Sequence, residues 1–248
     1  STSRGLGDVY KRQDKKNIQN NSFFLDRNES HHLINVLRLK INSNIWLTDG
    51  EGGTYYCKVD TFTSKNIVEG SILESHINQN ELNYHIHIGL PIIKNSRMKI
   101  AVEKSIESGV KELTPLYLDR SIKSNISLDK MTSTMRSATK QSMRSILPNI
   151  NPVAQLEDWY DPEALNIVAL IESKETLTLF KETVFDAVNN NKKILILIGP
   201  EGGFSSKEKE FIYDNKFLKV SIAKAVLRAE TAVVSILSIL NELMAQYE

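Results

Sequence analysis

Cysteine is almost absent from this sequence: Cys57 stands alone, so no intramolecular disulfide and no multi-cysteine zinc site can form. One thiol in so long a chain suits a reducing cytosol, and a cytoplasmic protein is expected. No apolar run approaches the roughly 18 residues that span a bilayer, and the N-terminus lacks an apolar signal core. The chain is therefore expected to be neither membrane-spanning nor secreted. Charge of one sign is not in excess either, since the formal net charge is only +1. Glycine (11) and proline (6) are too few for a collagen-like or low-complexity chain, and a hydrophobic fraction of 41% argues against disorder. What is left is a folded protein whose 248 residues suit two domains, at about 150 residues per domain.

The small net charge conceals a pattern. Residues 1–93 are neutral overall, residues 94–150 carry a net charge of +6, and residues 151–248 carry −5. The basic middle is a candidate footprint for a phosphate backbone, because lysines and arginines that neutralise phosphates release counterions. A solvated helix face would read the same way.

Residues 1–16 hold little apolar content and no sustained period, and are expected to be a disordered or non-native extension. Over residues 17–80 the text turns to short β-like runs, Ile45–Thr48, Thr54–Thr61 and Asn66–Leu73. Asp49-Gly50-Glu51-Gly52-Gly53 between the first two reads as a hairpin loop. Ser30 to Leu37 looks like a short helix with Ser30 as N-cap. Short strands with one helix suggest a small barrel of about 60 residues.

From residue 81 onward strands and helices alternate. Strands are expected at Tyr84–Leu90, Leu113–Leu118, Leu165–Ile171, Lys193–Ile198 and Phe217–Ile222, with helices at Ser96–Ser108, Leu128–Ile146, Thr176–Asn189, Lys207–Asn215 and Ala229–Gln246. This rhythm predicts an α/β domain, a mostly parallel sheet covered on both faces. Ile194 to Ile198 is an unbroken apolar run rich in β-branched residues, as a doubly buried strand demands. The last helix is apolar beyond a single stripe, through Ala232, Val233, Val234, Ile236, Leu237, Ile239, Leu240, Leu243 and Met244. One chain could bury such a helix internally, but it more naturally completes its burial against a second subunit, so a homodimer is expected.

The densest signal follows the buried strand: Ile198-Gly199-Pro200-Glu201-Gly202-Gly203-Phe204-Ser205-Ser206-Lys207-Glu208. At the carboxyl end of a strand, glycines let backbone approach a ligand closely, so this loop reads as a ligand site rather than a plain turn. Ser205 and Glu208 have the S-x-x-E spacing of a capping box that starts the next helix. Neither a Walker loop nor G-x-G-x-x-G fits, which disfavours phosphate cradling. A second loop, Ser221 to Ala232, contains Leu227-Arg228-Ala229-Glu230-Thr231-Ala232 and opens the last helix.

These two segments together resemble the small-subunit ribosomal RNA uridine-N3 methyltransferases of the SPOUT (alpha/beta-knot) superfamily. The likeness continues upstream through His32 with Val36-Leu37-Arg38, Arg97 with Glu103 to Val110, and Gln141 with Arg144. It implies a trefoil-knotted SPOUT methyltransferase domain over 81–248, joined to a PUA-like RNA-binding β-barrel over 17–80. It also implies S-adenosylmethionine as cofactor, 16S rRNA or the small ribosomal subunit as partner, and a homodimer. Carried over, the cofactor would be held by Leu170, Ile171, Glu172, Ile198, Gly199, Pro200, Glu201, Gly202, Gly203, Ser221, Ile222, Ala223, Val226, Leu227 and Arg228. RNA contacts would fall to His32, Arg38, Arg97, Lys104, Arg120, Arg136, Gln141 and Arg144. The sequence departs from the family's text at 223, 225 and 229, where alanine stands; at 223 a Cβ takes space that a glycine would leave open.

Chemistry can also be asked for from below. Methyl transfer from a sulfonium needs an in-line approach and a free lone pair, and uracil N3 carries a proton. A base, or a cation that stabilises anionic uracil, is therefore required. Arg228 could stabilise charge on a uracil oxygen and Glu230 could orient it or take the proton; the alternative is an ordinary carboxylate favoured at a helix start. No metal is expected: His85 and His87 share a strand face, but they alternate with Tyr84, Ile86 and Ile88 as a half-buried strand does. Alternative readings are a SPOUT methyltransferase acting on another RNA, or a non-catalytic RNA-binding module.

Overall fold

The computed structural model describes residues 10–12, 14–19, 21–122 and 125–245. The chain divides into two compact units, Ser1–Glu81 with Thr139–Leu147, and Leu82–Ala138 with Pro148–Glu248.

The first unit is built on β1 (Tyr10–Arg12), β2 (Ile18–Gln19), β3 (Ser22–Phe24), β4 (Asn44–Thr48), β5 (Gly53–Phe62) and β6 (Val68–Ile77), with α1 (Arg27–His31) after β3. Its sheet runs β1-β4-β5-β6-β3-β2. Phe23, Leu25, Leu33, Ile45, Leu47, Cys57, Val59 and Val68 form its core. The expected hairpin loop joins β4 to β5, where Asp49 Oδ1 accepts from the amides of Glu51 and Gly53 at 2.8 and 2.9 Å.

Three expectations change here. Of the supposed extension, residues 1–9 and 13 lie outside the described residues, but Tyr10–Arg12 pairs in parallel with Trp46–Thr48 as an edge strand. Lys11 is buried and bonds Glu29 at 2.8 Å and His32 Nδ1 at 2.6 Å, a polar pairing that no apolar pattern announces. Ser30 is not an N-cap: Asp26 caps α1 by accepting from the Glu29 amide, and a π-helical turn, His32–Val36, follows. Ser30 Oγ is buried and accepts from the Val68 amide at 3.1 Å.

The third concerns Thr139–Leu147. Arg144 is 2% exposed, and its guanidinium donates to Glu81 Oε2 at 2.7 Å while Glu81 Oε1 accepts from the Ile146 amide at 2.9 Å. Met143 adopts a left-handed φ of 55°, so the helix expected to reach Ile146 ends at Gln141. Arg144 is a buried structural cation, which corrects its expected role as an RNA contact.

The second unit contains β7 (Ile86–Pro91), α2 (Asn95–Glu107), β8 (Glu112–Tyr117), most of α3 (Leu128–Gln141), β9 (Asn149–Ile150), β10 (Ala154–Gln155), α4 (Leu156–Trp159), β11 (Leu165–Ala169), α5 (Lys181–Asn189), β12 (Ile194–Leu197), α6 (Ser206–Asp214), β13 (Leu218–Val220) and α7 (Ala229–Ala245). The sheet order is β10-β8-β7-β12-β11-β13, with β9 beside β8, and every pairing is parallel. All four residues of β12 are buried, as its unbroken apolar run requires. β12 lies between β7 and β11, and β11 between β12 and β13, so the carboxyl ends of β11, β12 and β13 emerge side by side. α7 buries eight residues and packs on α2, while Val234 stays exposed.

His87 is not poised for a metal. Trp159 Nε1 donates to its Nε2 at 3.0 Å, the Thr114 hydroxyl lies 2.7 Å from the same nitrogen, and Nδ1 faces Glu112 at 3.3 Å. The described residues contain no group of three or more side chains able to hold a metal ion, and no helix among them is long and apolar enough to cross a membrane.

Candidate functional site

Parallel strands deliver their following loops to one end of a sheet, and ligands collect there. In the second unit the loops after β11, β12 and β13 enclose a cavity of about 340 Å³. Of the residues expected to hold a cofactor, Leu170, Ile171, Glu172, Ile198, Gly199, Pro200, Glu201, Gly202, Gly203, Ile222, Ala223, Val226 and Leu227 line it. Ser221 and Arg228 stand outside the lining. The Ser221 amide instead donates to Glu175 O at 2.7 Å, and the Arg228 side chain is exposed. Ala169, Phe204, Lys209, Ala225, Ala229, Ala232 and Arg120 complete the wall.

The glycine loop is held from both sides. Gly203 has a φ of 70°, a backbone state that favours glycine, and a Cβ there would meet nothing within 4 Å. Ser205 caps α6 in the expected capping box, with the Glu208 amide donating to its Oγ and Glu208 Oε2 accepting from the Ser205 amide at 2.7 Å. Ser205 Oγ also donates to Asp119 Oδ2 at 2.5 Å, and the Asp119 amide donates to Glu208 Oε1 at 2.7 Å. Arg120 Nη1 donates to Gly202 O at 2.9 Å. Arg120, though exposed, is thus engaged with the loop through one arm of its guanidinium.

At the mouth, Lys209 Nζ bonds Glu172 Oε1 at 2.5 Å, and that hydrogen bond holds the Glu172 carboxyl below its ordinary range. Arg97, on α2, reaches the same region: its Nη1 contacts the Glu201 carboxylate and its Nε lies 3.7 Å from Glu230 Oε1. Glu230 Oε2 is buried without a hydrogen-bond partner. Sequence reasoning missed the Asp119–Arg120 tether and the Arg97 bridge, because each joins segments more than 80 residues apart.

The other expected RNA contacts are dispersed. Arg136 and Gln141 are exposed along α3, and Arg38 is exposed with a left-handed φ of 51°. His32 is half-buried against Lys11, and Lys104 pairs with Glu103 and Glu107 on its own helix, bonds that raise the Lys104 pKa.

The cavity fits an adenosyl sulfonium. Its size is that of a small-molecule pocket, its wall is largely apolar, and glycines expose backbone. Ala223 and Ala225 both line the wall without closing the cavity, so the departure from glycine at 223 leaves room.

A glycine-rich loop over such a cavity, at the carboxyl ends of parallel strands, defines an α/β ligand-binding enzyme domain. The chain belongs to the RNA methyltransferase family: the family model described as RNA methyltransferase domain matches residues 80–241, and one described as RNA methyltransferase PUA domain matches residues 25–69. It is 30% identical over 232 residues to Ribosomal RNA small subunit methyltransferase E 2 of Borreliella burgdorferi, covering 88% of this chain and 89% of that protein. It is 28% identical over 236 residues to Ribosomal RNA small subunit methyltransferase E of Buchnera aphidicola, covering 92% and 91%. Among solved structures, the Neisseria gonorrhoeae Ribosomal RNA small subunit methyltransferase E bound to S-adenosyl methionine aligns with a TM-score of 0.81 and 25% identity. That alignment covers 95% of this chain and 98% of that one.

Proposed function

We propose that the protein transfers a methyl group from S-adenosylmethionine to N3 of one uridine in 16S rRNA of the small ribosomal subunit. The observation that carries this reading is the cavity built from the loops after β11, β12 and β13, with the glycine loop and the Arg228–Glu230 segment at one sheet end.

S-adenosylmethionine supplies an activated methyl on sulfur. The backbone of Gly199 to Gly203 and the apolar side chains of Leu170, Ile198, Ile222, Val226 and Leu227 bind it and exclude water, which strengthens every charge interaction inside the cavity. Arg228 is exposed next to the cavity loop, free to face a uracil oxygen as charge develops, and Glu230 orients the cations around the target. Arg38, His32, Arg136 and Gln141 contact RNA, with the first unit acting as a PUA-like binding barrel. The path of the chain through the loops after β11, β12 and β13 is a trefoil knot, and the exposed side of α7 at Val234 seats a second copy in a cytoplasmic homodimer.

Calorimetry of S-adenosylmethionine with the purified chain and with Gly202→Trp tests the cofactor site. A Cβ at 202 would stand 3.2 Å from Arg120 Cβ, and both residues belong to the cavity wall, so an indole there must displace Arg120 and disturb that wall. Binding near one ligand per subunit that disappears in the variant supports the reading, and no binding by the unaltered chain, with or without RNA, refutes it.

A further inference from the structure

Glu201 occupies a position no other acidic residue shares among the described residues. It lines the 340 Å³ cavity and also a recess of about 30 Å³ beside it, whose wall includes Ile92, Ile93, Lys94 and Ile122. Its side chain is 51% exposed, whereas Glu230 is 12% exposed and lines neither space. Arg97, 23% exposed, stands between the two carboxylates. One guanidinium faces two carboxylates, so the three side chains together carry a surplus negative charge. Arg97 contacts Glu201 directly and stands 3.7 Å from Glu230, and of the two carboxylates Glu201, half-exposed on a loop, is the one a substrate can reach.

The edge of uracil places an N3–H donor between two carbonyl acceptors. A carboxylate oxygen beside a guanidinium N–H offers the complement, an acceptor next to a donor. Cytosine carries an acceptor at N3 and an amino donor at C4, which reverses that match. We propose that Glu201 is the catalytic residue that accepts the uracil N3 proton, while Arg97 donates to the adjacent carbonyl oxygen, and that this pair selects uracil over cytosine. The proposal rests on the uridine-N3 reading above. In the step, the N3–H bond gives its proton to the Glu201 carboxylate, and the freed N3 lone pair forms the new bond to the methyl carbon. The old carbon–sulfur bonding pair stays on sulfur, which becomes a neutral thioether, and Glu201 then releases the proton to solvent.

The test uses the full chain, unmethylated small ribosomal subunits and isotopically labelled S-adenosylmethionine, with the product nucleoside identified by mass spectrometry. Glu201→Gln keeps an acceptor oxygen and cannot take a proton. Its kcat is expected to fall about 100-fold or more, with KM for subunits and the calorimetric affinity for S-adenosylhomocysteine each within about threefold. Glu201→Asp restores part of kcat, and a cytidine at the target position is not methylated by the unaltered chain. A Glu201→Gln kcat within threefold of the unaltered chain overturns the assignment. So does a loss of S-adenosylhomocysteine affinity large enough to account for the rate, or a loss in kcat larger in Glu230→Gln than in Glu201→Gln. If the unaltered chain forms no N3-methyluridine, the underlying reading fails, a result separate from any of these.

Discussion

Arg120 donates through Nη1 to the Gly202 carbonyl at 2.9 Å, and Asp119, its neighbour, accepts from Ser205 Oγ at 2.5 Å. Two adjacent residues after β8 thereby hold the second half of the glycine loop, from Gly202 to Ser205, in place. Pre-organisation of this kind lowers the ordering cost of binding, so Arg120→Ala is expected to weaken S-adenosylmethionine or S-adenosylhomocysteine binding. A charge-assisted hydrogen bond of about 1.5–3 kcal/mol corresponds to a loss of roughly 10-fold to 100-fold. Calorimetry measures it, and because Arg120 is exposed the melting temperature should shift by no more than a few degrees.

His87 predicts a pH dependence. Burial pushes its pKa down to about 4 from 6.5, with the Glu112 carboxylate opposing and Lys193 reinforcing the shift. The unfolded chain therefore binds the proton first. Stability is fully present above about pH 6.5 and declines as pH falls through the interval to about 4, where the folded form protonates too. The contribution is on the order of 3 kcal/mol. Denaturant unfolding across pH 4–7 should show this slope, and His87→Gln, which keeps an acceptor for Trp159 Nε1, should flatten it.

Gly89 lies mid-strand in β7, where a Cβ would stand 2.7 Å from Leu116 and 3.0 Å from the Trp159 indole. Glycine here serves close packing rather than a turn. Gly89→Ala is expected to overpack this core and cost about 1–3 kcal/mol, read from the urea midpoint at constant slope.

Much of this architecture is legible from patterns that act locally. Ile194–Leu197 reads as a buried strand because its neighbours are apolar on both faces, and Ser205 with Glu208 reads as a capping box because both partners lie within one turn. The cavity loops are legible too, since strand alternation implies parallel pairing and parallel pairing puts their loops at one end. Polar contacts across long sequence separations are not. Nothing near Arg97 in the chain indicates that it bridges Glu201 and Glu230, and nothing near Arg120 indicates Gly202. A lone arginine in a basic segment reads as solvated or RNA-facing, and only the tertiary fold shows which carboxylate or carbonyl it meets. The short β9 and β10, two residues each, lie below the length at which period-2 alternation can be seen.

Arg144 and Glu81 supply the last prediction. Both side chains are 2% exposed, and Glu81 accepts at both oxygens, from the guanidinium and from the Ile146 amide. The chain leaves helical geometry at Met143 to make this contact, so the pair fixes how Thr139–Leu147 joins the first unit. Removing one partner leaves the other charge buried without this counter-ion, which costs more than the pair itself contributes. Glu81→Ala and Arg144→Ala should each destabilise the first unit by about 3–5 kcal/mol, whereas the double variant should cost much less than the sum. A double-mutant cycle by urea unfolding decides the matter. Additive losses would show that the two side chains act independently and that the pair does not set the position of Thr139–Leu147.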